Sequence, residues 1–247
     1  MGFRSALHSQ AKTTRYRYYA LAVYLMARAG EVKALDWADV DLVRGVVHIH
    51  ASVNRETGET TTTKSGESRR LPLEKELLPL LTAMHKTAKG KGLVLGLDGT
   101  ETHLARQLRY HLEVAGITRA ELLHDDANRQ AMTFHGLRAT GVTWAAARGD
   151  DSLRIKQRAG HKSFSTTEIY IREAENLSDA FGVVFPSLPE SLNVAPEYRQ
   201  RFRSILTGAD DKTTTKQAQL VEAPGIEAEP GASRDVAKRR ETLRTRR

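Results

Sequence analysis

Between residues 46 and 73 the chain carries three short β-type runs separated by two turn clusters, with helical patterning on both sides. Gly45 opens the first run, residues 46–53, in which apolar and polar side chains alternate from Val47 onward, the period of a half-buried strand. Residues 54–58, bounded by Asn54 and Gly58, read as a turn. The run from Thr60 to Thr63 is β-branched throughout and predicts a second strand. Residues 64–68 turn the chain again, and residues 69–73 predict a third strand. The expected fold class is therefore mainly α with a small three-stranded antiparallel sheet (α+β), the strands forming a meander set among helices.

Helical periodicity accounts for most of the rest. Tyr16, Tyr19, Ala20, Val23 and Ala27 recur at spacings of three and four and predict a helix over residues 14–27. A second helix is expected over 31–42, with Val32 and Leu35 facing inward, and further helices over 75–89, 102–115, 135–148, 151–158 and 166–175. Gly149 and Gly160 stand where helices should stop. Ser165, with Glu168 three residues on, reads as a capping box for the last of these helices.

Composition narrows the function classes. The chain has no cysteine, which excludes disulfides, iron–sulfur clusters, thiol catalysis and cysteine-bound zinc, and fits a reducing cytoplasm. No apolar run is long enough to cross a bilayer, so no membrane partner is expected, and the first residues lack the apolar stretch of a secretory signal. A net charge of +8 favours polyanions, because each neutralised phosphate releases condensed counterions. After Pro186 the text changes, with Pro189, Pro196, Pro224 and Pro230 punctuating a stretch rich in Thr, Gln, Glu, Ala and Gly. Residues 234–247 hold seven basic residues against two acidic ones. We divide the chain into an N-terminal extension (1–13), a folded domain (14–185), a C-terminal extension (186–207) and a disordered basic tail (208–247).

Six residues stand out by arrangement. Arg28 ends the first helix just before Gly30 and Glu31, and Lys64 sits in the turn between the second and third strands. His135 and Arg138, three apart, share one face of a helix. His161 follows Gly160, and Tyr170 lies nine residues further on. Each alone has an ordinary reading: a helix-end arginine, a solvated turn lysine, a loop histidine, a half-buried tyrosine. Elsewhere, His48 and His50 point to one face of a strand and could bind a metal, but no third ligand is apparent.

Taken in order, Arg28-x-x-Glu31, Lys64 in a β-turn, His135-Gly136-Leu137-Arg138, Gly160-His161 and Tyr170 resemble the signature of the tyrosine recombinase (phage integrase) family. The text around them, at 35–42 and 160–170, is similar too, and the likeness spans residues 13–185. It implies an enzyme that cuts and rejoins double-stranded DNA through a covalent tyrosine intermediate, without metal or cofactor. Arg28 and Arg138 would bind the phosphoryl oxygens, Lys64 would protonate the leaving 5′-oxygen, and Tyr170 would attack. His135 would handle the tyrosine proton or orient the phosphate, and His161 would hydrogen-bond the phosphate. Glu31 and Asp39 match family positions as structural residues. The chemistry is consistent: a phenolate is both a nucleophile and a competent leaving group, and a planar guanidinium binds two phosphate oxygens at once. The resemblance also implies a homo-oligomer, a tetramer on two duplexes, with residues 177–192 packing against a neighbour.

The chain departs from the pattern in places. Ala159 replaces a leucine, and Ala139 stands where a basic residue or histidine is common. Arg28 lies only 27 residues from the start, leaving no room before it for the family's N-terminal DNA clamp, so weak DNA binding and poor site choice are expected. Two further readings stay open on these residues: a non-catalytic DNA-binding relic, and a type IB topoisomerase-like relaxing activity.

Overall fold

Helices supply most of the structure, as the sequence predicts, but the strands are wired differently from a meander. The computed structural model describes residues 3–54, 56–62, 68–97, 103–127, 129–177 and 182–193, with side chains from residue 12 onward. The expected basic tail, 208–247, and the turn that carries Lys64 lie outside the described residues.

The α-helices are α1 (Phe3–Tyr24), α2 (Ala29–Ala34), α3 (Leu78–Ala88), α4 (Leu104–Val114), α5 (Ala120–Leu123), α6 (Phe134–Ala147), α7 (Ser152–Ala159) and α8 (Phe164–Glu175). The strands are β1 (Val40–Asp41), β2 (Val46–Ile49), β3 (Ala51–Val53), β4 (Thr60–Thr62) and β5 (Arg69–Pro72). Helix α1 begins well before residue 14, and its C-terminal half buries Tyr18, Leu21, Ala22 and Val23 against α6. Apolar burial of this kind is the main favourable term in folding, and it sets Tyr18 against Phe134 at the start of α6 and the end of α1 against Gly141 in the middle of α6. Helix α5 has too few apolar residues for its period to show in the sequence.

The run over 46–53 is not one strand. It breaks at His50, so that β2 pairs antiparallel with β5 while β3 pairs antiparallel with β4. A third pairing adds β1 to the free edge of β2, giving the sheet order β1-β2-β5 and a separate β3-β4 ribbon. The alternation did continue across the break, which is why one strand was expected. A change of partner leaves the side-chain period intact.

The helix expected over 31–42 stops at Ala34, because Leu35 takes an extended conformation and its backbone is claimed by a distant segment. Val94 donates its N–H to Leu35 O at 2.8 Å, and Trp37 donates to Gly92 O at 3.0 Å. Asp36 then caps a 3-10 turn, Trp37–Asp39, accepting from the Ala38 N–H at 2.9 Å. The cap of α8 also differs from the capping-box reading. Ser163, not Ser165, accepts the first free N–H, at 3.2 Å from Ser165 N, and Glu168 pairs forward with Arg172 instead.

Residues 182–193 pack against the body of their own chain. Phe185 is buried, with its ring edge-on to both Tyr24 and Trp144, and Arg148 lies 4.7 Å over its face. Arg17, itself buried in α1, donates two hydrogen bonds to Leu192 O, at 2.9 and 2.6 Å. A buried guanidinium needs such acceptors, so this segment completes the folded unit from within.

Candidate active site

The site is built around one buried carboxylate. Chain direction changes sharply after α1, where Met26 adopts a left-handed conformation (φ 50°), and Arg28 then stands at the N-cap of α2. Arg28 therefore starts a helix instead of ending one. Its backbone N–H donates to Glu31 Oε2 at 2.8 Å and its Nη1 donates to Oε1 at 2.9 Å. Glu31 is drawn inward because α2 lies tight on β3. A Cβ on Gly30 would fall 2.5 Å from both Ser52 Oγ and Val53 O, so only glycine fits there.

A second arginine completes the carboxylate's shell. Arg69, from β5, donates Nη1 to Glu31 Oε1 at 3.0 Å and Nη2 to Oε2 at 2.7 Å, a bidentate pair. Its Nε donates to Arg158 O, at the end of α7, at 3.0 Å. Burial alone would raise the Glu31 carboxyl; the hydrogen bonds and charge of Arg69, then those of Arg28, outweigh it and hold it down at about 2. Arg69 was not singled out in the sequence. The signal was available in principle, since a carboxylate as deeply placed as Glu31 needs more than one cation, but nothing in the spacing says which arginine supplies it.

Arg138 approaches from α6. It is buried, donates Nη1 to Met26 O at 2.9 Å, and lies 4.0 Å from Glu31 Oε2. Burial, then the nearby charge of Arg28, lowers it to about 10, so it stays cationic at neutral pH. Among the described residues, Nη1 alone of its donors is engaged. Arg28 likewise spends only Nη1 on a described partner, and its side chain is 35% exposed. Two guanidiniums, one held by the Glu31 carboxylate and the other by Met26 O beside it, thus keep N–H groups free for an outside ligand. Donors fixed in place before a ligand arrives cost no reorganisation when negative charge develops on it.

The two histidines and the tyrosine close the arrangement. Gly160 ends α7 in a left-handed conformation (φ 66°), and the His161 N–H returns to Lys156 O at 3.1 Å. His161 Nδ1 lies 3.0 Å from the hydroxyl of fully buried Thr167, leaving Nε2 without a partner among the described residues. The His161 ring stacks on Tyr170, centroids 5.8 Å apart and planes 19° from parallel. Burial, followed by the charges of Arg138, Arg28, His135 and Arg69, lowers His161 to about 4, so its imidazole is neutral near pH 7. His135 is lowered by burial first and then by Arg138 and Arg28. Tyr170 is half-buried on α8 and close enough to Arg138 to act on its charge. Its hydroxyl has no hydrogen-bond partner among the described residues.

Five of the six residues singled out in the sequence therefore converge: Arg28, His135, Arg138, His161 and Tyr170. The sixth, Lys64, lies outside the described residues, between β4 and β5. Chemically, the group is a cationic cluster with guanidinium donors not engaged among the described residues, a neutral imidazole and a phenol without a described partner. It suits an oxyanion such as a phosphodiester.

The family model described as the phage integrase family matches residues 4–176. The ICEBs1 integrase of Bacillus subtilis (strain 168) is 26% identical over 175 residues, which is 69% of this chain and 45% of that protein. The chain thus spans less than half the length of that curated relative. Among solved structures, the Tn1549 transposon integrase (residues 82–397) in complex with transposon right end DNA superposes with a TM-score of 0.52 at 18% identity, covering 66% of this chain and 57% of that one. The same integrase in complex with circular intermediate DNA gives a TM-score of 0.50 at 17% identity, covering 69% and 61%. At such identities the likeness establishes a shared fold.

Proposed function

Because the chain belongs to the phage integrase family, we propose that it is a site-specific DNA recombinase, or integrase, of a mobile element, and that it works through a 3′-phosphotyrosine intermediate. Its partner is double-stranded DNA, bound by a homo-oligomer, a tetramer on two duplexes. The observation that most supports this reading is the pairing of two guanidiniums beside Glu31, fixed by that carboxylate and by Met26 O with donors to spare, together with a phenol stacked on a neutral imidazole.

In this mechanism Arg28 and Arg138 bind the non-bridging oxygens of the scissile phosphate and offset the charge that grows in the pentacoordinate transition state. Tyr170 Oη attacks phosphorus, giving up its proton toward His135, which is neutral and able to accept it. The P–O5′ bond breaks as the P–O(Tyr) bond forms, and Lys64 protonates the departing 5′-oxygen. His161, held by Thr167 on one side, turns Nε2 to the phosphate. Attack by a 5′-hydroxyl of another strand reverses every step and releases Tyr170. Since the phosphotyrosyl bond conserves the energy of the phosphodiester, no external energy source is needed.

A pool of nicked duplexes of random sequence, incubated with the full chain at low salt, tests the reading. Cleavage next to the nick releases a short oligonucleotide and traps the covalent adduct. Wild type should form a protein–DNA species stable to denaturant, and Tyr170→Phe should form none. Salt-sensitive DNA binding without any adduct, equal in both proteins, would instead favour a non-catalytic DNA-binding protein.

A further inference from the structure

The two histidines that the sequence left without a third ligand acquire one in the fold. We propose that Asp39, His48 and His50 form a binding site for a divalent transition ion of the zinc class, independent of the recombinase reading. One ligand atom from each lies within 4.8 Å of the other two.

The geometry of Asp39 comes first. Asp39 closes the 3-10 turn Trp37–Asp39, and its Oδ2 accepts the Asp36 N–H at 3.4 Å. That bond orients the carboxylate and turns Oδ1 toward His50, whose Nε2 is 2.9 Å away. His48 sits in β2 between Val47 and Ile49, both of which face the core, so its ring must point to the opposite side of the sheet. There the His48 and His50 rings lie 4.9 Å apart, 33° from parallel. No described residue hydrogen-bonds the His48 ring.

The donor set chooses the ion. Two imidazole nitrogens and one carboxylate oxygen suit zinc, cobalt or nickel, and are a poor match for magnesium or calcium, which prefer all-oxygen shells. In a tetrahedral zinc site with bonds of about 2.0–2.2 Å, neighbouring ligand atoms stand roughly 3.3 Å apart. One pair here is already closer than that and none is more than 4.8 Å apart, so rotation of the exposed His50 and the half-buried His48 side chains closes the set. Three protein ligands leave the fourth position to water or to an outside group.

Surrounding charge is compatible. Asp41 adds a second carboxylate, paired at 3.8 Å with the exposed Arg44. Arg70 stands opposite His48 in the β2–β5 register but is exposed, so water and salt screen its repulsion of a bound cation. The location gives the ion a task. His50 is the residue at which the chain leaves its pairing with β5 for its pairing with β4, and Asp39 is the last residue before β1. An ion would tie the turn before β1 to the bend between β2 and β3.

Cobalt(II) is the probe, because its visible absorption reports coordination number. Titrated into the full chain, Co²⁺ should give d–d bands of a four- or five-coordinate site that saturate at one equivalent and vanish when Zn²⁺ is added. Since the chain has nine histidines, site assignment needs variants. His48→Ala and His50→Ala should each weaken binding at least about tenfold, and the double variant should abolish the bands while its circular dichroism stays that of wild type. An independent readout requires no variant: Zn²⁺ should raise the melting temperature of wild type, and Mg²⁺ should not. Absence of one-equivalent bands, bands unchanged in the double variant, or no Zn²⁺-dependent rise in melting temperature would each overturn the site.

Discussion

Replacing Glu31 by Gln keeps the shape of the side chain but removes the negative charge on which Arg28, Arg69 and Arg138 converge. The cost follows from the structure by two routes. A carboxyl held at about 2 instead of 4.5 is favoured in its charged form by about 3 kcal/mol, at roughly 1.4 kcal/mol per tenfold. The side chain is 1% exposed, so solvent screening takes little from that figure. Independently, removing one partner of a buried ion pair costs roughly 3–5 kcal/mol, because the partner charge is left uncompensated. Both routes give at least about 3 kcal/mol at pH 7, a drop of roughly 6–12 °C in melting temperature for a unit of this size. Urea titrations of wild type and Glu31→Gln at several pH values measure it. Because the folded-state value lies below the unfolded one, the contribution is fully present above pH 5 and disappears as pH falls toward 2. The gap between the two proteins should therefore narrow over that window. A loss below about 1 kcal/mol at pH 7, or a gap of the same size at pH 3, would refute the view that this carboxylate organises the site.

Three more outcomes are expected. Arg69→Lys keeps the charge but not the fork, which makes three hydrogen bonds to Glu31 and Arg158 O; it should lose about 2 kcal/mol and slow adduct formation at least about tenfold, with DNA affinity by fluorescence anisotropy unchanged. Gly30→Ala places a methyl group 2.5 Å from the Val53 carbonyl, and backbone must move to admit it; urea titration should show a loss of about 1–3 kcal/mol. His161 is held neutral in the fold, at about 4, while its unfolded form takes a proton near 6.5. Its contribution is thus present above pH 6.5 and is lost as pH falls toward 4, so wild type should lose about 1 kcal/mol more than His161→Gln between pH 7 and pH 5, allowing for screening of a partly exposed ring.

Local periodicity carried most of the fold to the reader of the sequence. The helices that become α4, α6 and α7 announce themselves within a residue or two by their apolar spacing and by Gly149 and Gly160 at their ends. What was illegible depends on distant partners. The break at His50 leaves the alternation of side chains untouched, and only the pairing of β2 with β5 and of β3 with β4 reveals it. The stop at Leu35 follows from a backbone bond to Val94, nearly sixty residues away. The site divides in the same way. Arg28, His135, Arg138, His161 and Tyr170 are recognisable because their order and spacing repeat a family pattern. The role of Arg69, and that of Asp39 as third metal ligand, are not, because they come from contacts with other elements, Glu31 and the end of α7 for Arg69 and His50 for Asp39, and leave no periodic trace. The same holds for Glu74, whose carboxylate accepts from Arg148 at 2.7 and 3.0 Å and from Arg158 at 2.6 Å and so ties β5 to the ends of α6 and α7.

The covalent linkage itself decides the account. Adduct trapped on a nicked duplex can be digested with protease and nuclease, and the nucleotide-bearing peptide sequenced by mass spectrometry. The mechanism predicts one modified peptide, spanning Tyr170, with the phenolic oxygen joined to a 3′-phosphate. A nucleotide on any other side chain, or a link to a 5′-phosphate, would contradict it.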